Sequence, residues 1–86
     1  GAAYATAKRA VLGLVDALHV EYHHDGIRTN AVLPSTIDTP GNRAAMPDAD
    51  PADWVTAAQI GATIFDLCGS DFAATSGAHI PVYGKA

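Results

Sequence analysis

Tyr4 and Lys8 stand four residues apart near the start of an 86-residue chain. Four residues of α-helix is about one turn, roughly 6 Å along the axis, so a phenol and an ammonium at this spacing share one helical face. The chemistry open to such a pair is proton transfer. A free phenol titrates near 10, and a phenol exchanging protons at neutral pH needs its anion stabilised by roughly 4 kcal/mol relative to that reference. A cation within a few ångströms is what supplies such stabilisation. The same spacing occurs on ordinary helix surfaces, so its weight depends on the elements around it.

The first of these elements is a helix. Residues 4 to 23 are Ala- and Leu-rich and free of Pro, and Ala7, Ala10, Val11, Leu14 and Leu18 recur at helical spacing. Leu12, Val15 and His19 form a second stripe beside the first. A helix apolar over so much of its circumference is expected to be buried on more than one side. Gly13 lets another backbone come close at a propensity cost of about 1 kcal/mol, and Gly26 supplies the stop. Ile27 to Leu33, ended by Pro34, predicts a short buried strand, parallel to its neighbours. From Pro34 to Val55, Pro34, Pro40, Pro47 and Pro51 and several aspartates leave no sustained period. A connection of this length inside a compact domain is expected to be functional or mobile.

Thr56 and Gln59 match a capping box that opens a second helix. Its expected buried side is Ile60, Ile64, Phe65, Leu67 and Cys68, and it should stop near Gly69. Residues 70–77 read as loop, and Ala78 to Tyr83 as a second strand that Pro81 confines to a sheet edge or an irregular position. The order helix, strand, helix, strand makes the second helix a crossover between two parallel strands, right-handed by the usual rule. Two strands cannot close a core, so the expected class is α/β, a portion of a larger doubly wound parallel sheet.

Composition narrows the functions. The chain is 49% hydrophobic and 16% charged, against about 25% charged for an average soluble domain. That excess of apolar surface is expected to pack against further chain or further subunits. Net charge is −4, and Lys8, Arg9, Arg28, Arg43 and Lys85 are scattered rather than gathered into a stripe. Nucleic-acid binding is therefore not expected. No apolar run reaches the length of a membrane span, and the amino end carries no charged segment leading into an apolar signal core, so no membrane role is expected either. The single cysteine, Cys68, falls in an apolar helical pattern and is expected to be a reduced, buried thiol in a cytoplasmic protein.

Four segments in order carry a resemblance. Tyr4-Ala5-Thr6-Ala7-Lys8 resembles the Tyr-x-x-x-Lys helix of the short-chain dehydrogenase/reductase family. Residues 26–34 (GIRTNAVLP) resemble its next strand, Ser35-Thr36-Ile37-Asp38-Thr39-Pro40 its nicotinamide-side loop, and residues 76–84 (SGAHIPVYG) its last strand and glycine. The resemblance covers essentially the whole chain. It implies a Rossmann-like fold of which residues 1–86 are the C-terminal part of one domain, with the dinucleotide-binding N-terminal half absent and residues 34–55 forming the substrate and nicotinamide loop. The Gly-rich turn, the residue that selects NAD or NADP, and the usual catalytic serine would all lie in that absent half. Residues 38–50 (DTPGNRAAMPDAD), followed by Trp54, are similar to the corresponding loop of the dihydropteridine reductase branch.

The resemblance implies an oxidoreductase using NAD or NADP on a carbonyl, hydroxyl or pterin-like small molecule. Tyr4 would be the general acid in reduction and the base in oxidation, and Lys8 would stabilise the phenolate and hydrogen-bond the nicotinamide ribose. Pro34 ends its strand at the carboxyl edge, where doubly wound proteins place ligands. Ile37 would offer its backbone to the carboxamide, and Thr39 its hydroxyl to the carboxamide or a phosphate. Ser35 stands where the family commonly has Gly. Asn30 reads as structural, its side chain satisfying backbone groups. Arg43, Met46 and Trp54 are candidates to line the substrate pocket, Arg43 reaching an anionic group and Trp54 a planar ring.

His19, His23, His24 and His79 do not make a metal site, since only His19 and His23 share a helical face and no acidic third ligand joins them. The family's first helix also packs against its counterpart in another subunit, so a homodimer or homotetramer through the helices at 4–23 and 57–68 is expected. The alternative from a different class is a non-catalytic oligomerisation or interaction module, or an inactive fragment.

Overall fold

A computed structural model describes residues 1–86. In chain order it holds α1 (Ala2–Tyr22), β1 (Ala31–Pro34), α2 (Pro40–Ala45), α3 (Ala57–Leu67) and β2 (His79–Val82), with 3₁₀ turns at His23–Asp25, Pro51–Asp53 and Ser70–Phe72. β1 and β2 pair as a two-stranded sheet. The chain divides into two compact units, Gly1–Ala31 with Ala74–His79, and Val32–Ala73 with Ile80–Ala86. No helix is long and apolar enough to cross a membrane.

In the first unit α1 runs past the predicted start and ends through the 3₁₀ turn into Gly26, whose φ of 80° is the left-handed cap that glycine accommodates. Leu12, Val15, Leu18 and His19 are half-buried, while Val11 and Leu14 stay 54% and 58% exposed. The expectation of burial on more than one side is thus corrected for the chain by itself. The only other segments of this unit are residues 23–31 and 74–79, enough to cover one side of a long helix.

The predicted strand at 27–33 shortens to Ala31–Pro34, because side chains replace the ladder before it. The Thr29 amide donates to Ser76 Oγ at 3.0 Å. Asn30 Nδ2 donates to the Thr75 carbonyl at 3.1 Å, and its Oδ1 accepts from the Ala78 amide at 3.0 Å. Asn30 therefore does the structural work expected of it. Only then does the parallel ladder begin, with the Ala31 amide donating to the Ala78 carbonyl at 2.9 Å. Gly77 has a φ of 74°, and a Cβ there would lie 2.9 Å from the His19 ring, so both backbone and space demand glycine.

In the second unit the ladder continues, the Ser35 amide donating to the Val82 carbonyl at 3.2 Å. The core consists of Trp54, Val55 and Leu67, at 7%, 1% and 8% exposure. The 34–55 segment is not an irregular loop. A parallel bridge joins Ile37 to Val55, and α2 forms with Pro40 in its first turn, where proline's missing N–H costs nothing. The Asp50 carboxylate caps the next turn by accepting from the Ala52 amide at 3.0 Å.

α3 opens on the capping box with both halves made: Gln59 N–H to Thr56 Oγ1 at 3.1 Å, and Thr56 N–H to Gln59 Oε1 at 2.9 Å. Its covered line is Ile60, Thr63 and Leu67. Ile64 and Phe65 are 46% and 79% exposed, and Cys68, expected to be buried, is exposed. A helix resting on one small core covers a single line of residues at three- and four-residue spacing, and these three lie off it. In β2 the exposed residues are His79 and Pro81, the half-buried ones Ile80 and Val82; Pro81 occupies a strand of a two-stranded sheet, as its missing N–H requires.

Candidate active site

Tyr4 and Lys8 lie in the first turns of α1, where helical spacing puts them on one face. The Lys8 ammonium sits 5.5 Å from the centroid of the Tyr4 ring, within the range in which a cation is attracted to an aromatic face. The Tyr4 side chain is open, at 70% exposure.

The second group follows β1. Ser35 donates its hydroxyl to the Tyr83 carbonyl at 2.6 Å and so fastens the end of β1 to the segment after β2. Two residues on, the backbone is held from behind by Val55: its N–H donates to the Thr36 carbonyl at 3.1 Å and its carbonyl accepts from the Asp38 amide at 2.8 Å. Because trans peptides place N–H and C=O on opposite sides, these two bonds turn the Ile37 N–H and the Ile37 C=O to the same side, away from Val55. One donor and one acceptor side by side is what a primary carboxamide needs. The Ile37 carbonyl also accepts from Asn42 Nδ2 at 2.8 Å.

Thr39 is the N-cap of α2, its Oγ1 accepting from the Asn42 amide at 3.1 Å. The hydroxyl keeps its own proton for donation. Arg43 is engaged differently from the expected reach toward a substrate anion. Its Nε and Nη2 donate to the two carboxylate oxygens of Asp38 at 2.7 and 2.9 Å. The guanidinium hydrogen bonds hold the Asp38 carboxyl below the usual carboxylate range, and the carboxylate raises Arg43 in turn. A fork-to-fork pair forms because the first turn of α2 brings residue 43 back over residue 38.

Trp54, a candidate to line the substrate pocket, is 7% exposed and belongs to the core of the second unit. Met46 caps the C-terminal end of α2 and is 39% exposed. Pro34, Ile37, Thr39, Arg43, Met46 and Trp54 all belong to the second unit, Tyr4 and Lys8 to the first. Asn42 and Asp38 were not picked out from the sequence. The available signal was Thr39-Pro40 opening a helix, which places residue 42 at the third helical position, where a side chain reaches back across the N-terminus.

Three of the four histidines make hydrogen bonds along the C-terminal part of α1. His19 Nδ1 pairs with Ser76 Oγ at 2.8 Å, His23 Nδ1 with the His19 carbonyl at 2.7 Å, and His79 Nε2 with Asp16 Oδ1 at 2.8 Å. No group of three or more His, Cys, Asp or Glu is arranged to hold a metal ion.

A family model described as enoyl-(acyl carrier protein) reductase matches residues 1–84. The chain is 35% identical over 92 aligned residues to 2-(R)-hydroxypropyl-CoM dehydrogenase of Xanthobacter autotrophicus, covering 95% of this chain and 37% of that protein. Among solved structures, a short-chain dehydrogenase/reductase family oxidoreductase from Burkholderia thailandensis is similar with a TM-score of 0.82 at 30% identity, over 95% of this chain and 36% of that one. 4-Hydroxyisoleucine dehydrogenase complexed with NADH is similar with a TM-score of 0.79 at 25% identity, over 96% and 37%. The chain thus spans little more than a third of these relatives' length. The chain belongs to the short-chain dehydrogenase/reductase family.

Proposed function

We propose that these residues act within an oxidoreductase that uses NAD or NADP to interconvert a carbonyl and a hydroxyl, or to reduce a pterin-like substrate, with Tyr4 as general acid and base. The observation that carries this is the Lys8 ammonium 5.5 Å from the ring of an open Tyr4, on the helix that the family model matches. A nicotinamide cofactor, when bound, supplies or accepts the hydride. The chain's own residues handle the proton. In reduction the Tyr4 hydroxyl gives its proton to the substrate oxygen, and in oxidation the phenolate takes it back, with Lys8 lowering the energy of the anion in both directions.

The loop after β1 fits a nicotinamide carboxamide: Ile37 supplies an amide donor and a carbonyl acceptor on one side, and Thr39 retains a hydroxyl proton to donate. Support for the cofactor comes from 4-hydroxyisoleucine dehydrogenase, a similar fold complexed with NADH. Met46 and the free N–H groups of Arg43 are offered as the substrate-side contacts. Because the Asp38 carboxylate is paired with the Arg43 guanidinium, a neutral substrate suits this site better than an anionic one. Exposed Val11, Leu14 and Phe65 support assembly as a homodimer or homotetramer through α1 and α3. The test is oxidation of NADH and NADPH by the full-length protein with simple ketones, acyl thioester ketones and quinoid pterins. Turnover with one class is expected; binding of neither cofactor would overturn the reading.

A further inference from the structure

The residues that meet a cofactor in this reading are backbone groups, and backbone groups recognise a ligand only if their peptide planes are held. Three consecutive residues here are each fastened by the first turn of α2. Ile37 is held through its carbonyl by Asn42 Nδ2 at 2.8 Å. Asp38 is held through both carboxylate oxygens by Arg43. Thr39 is held through its hydroxyl by the Asn42 amide at 3.1 Å. Behind them stands Val55, 1% exposed, bonded to the peptides on either side of Ile37.

We propose that Asn42 and the Asp38–Arg43 pair are positioning residues that preset the Ile37–Thr39 backbone for a nicotinamide carboxamide before the cofactor arrives. The inference rests on the oxidoreductase reading above and adds residues that act on the cofactor through the Ile37–Thr39 backbone. A carbonyl oxygen has two lone pairs, so Asn42 can hold the Ile37 carbonyl while the second lone pair accepts from the carboxamide. A loop already in its bound shape loses less entropy on binding, and the whole of that saving appears in affinity. The Asp38–Arg43 pair spans Thr39 and keeps the turn closed over it. It also keeps the Asp38 carboxylate from folding onto the neighbouring amide groups, which a free acidic side chain near an open N–H would do.

The test compares two ligands on the full-length protein: NADH or NADPH, and ADP-ribose or its 2′-phosphate, which lack the nicotinamide. In the Asn42→Ala and the near-isosteric Asn42→Asp variants the dissociation constant for the reduced cofactor should rise about 10-fold, the scale of one well-placed hydrogen bond. That for the ADP-ribose probe should stay within about 2-fold. Asp38→Arg and Arg43→Asp should each weaken the reduced cofactor selectively, and the double exchange should restore most of the loss, as coupled charge pairs do. Equal weakening of both ligands would make these residues merely structural and overturn the proposal, as would unchanged cofactor binding in both Asn42 variants. If the unaltered protein binds the reduced cofactor no more tightly than ADP-ribose, the carboxamide reading of the loop fails first and the brace falls with it.

Discussion

Tyr4 and Lys8 were legible from spacing as neighbours, because a helix converts four residues of sequence into one shared face; their weight as a chemical pair came from the elements around them. Asp38 and Arg43 were not legible as partners. Their pairing depends on a turn at residues 40–45 that the prolines of the segment conceal, and a five-residue separation has no meaning outside that turn. The pair has a pH signature. Asp38 titrates below its unfolded value, so its contribution to stability is fully present above about pH 4 and is lost as pH falls through the lowered folded value. Thermal midpoints of the native protein and Arg43→Gln should therefore differ by a constant small amount from pH 5 to 8 and converge in strong acid; a difference that persists there would contradict the pair's role. As an exposed pair its effect is modest and weakens with salt.

At the scale of elements, α1, α3 and the existence of both strands were legible, while α2, inside the proline-rich segment, and the exact start of β1 were not. The capping box at Thr56 is a local device, both of its hydrogen bonds lying within four residues, and sequence pattern reads such devices well. Thr56→Ala should cost about 1 kcal/mol of unfolding free energy, measured by denaturant titration; no loss would mean the cap is redundant. The strand at 31–34 was overextended because Thr29 and Asn30 look β-compatible yet spend their bonding groups on Ser76, Thr75 and Ala78. Only long-range contacts of this sort decide where a ladder begins. The same holds for Gly77, whose need for glycine comes from the His19 ring 58 positions earlier. Gly77→Ala should destabilise by about 2 kcal/mol through its left-handed φ, beyond any movement of the ring.

For the whole molecule, periodicity foretold apolar helix faces but not what covers them. Three buried hydrophobic residues make a small core for 86 residues, while Val11, Leu14, Ile64 and Phe65 stand open. Single-sequence patterning marks a residue as suited to burial whether the covering surface comes from the same chain, from a longer one or from another copy. In the full-length protein Phe65→Glu should lower the assembly state, read by sedimentation at fixed concentration; an unchanged oligomer would remove α3 from the interface.

Proton transfer by the Tyr4 phenol is the step on which the proposed activity depends most. Cofactor affinity and turnover should be measured together for Tyr4→Phe in the full-length protein. The reading predicts a cofactor dissociation constant close to that of the native protein and a kcat lowered about 100-fold or more, the range of a lost general acid. Undiminished kcat in that variant would contradict it.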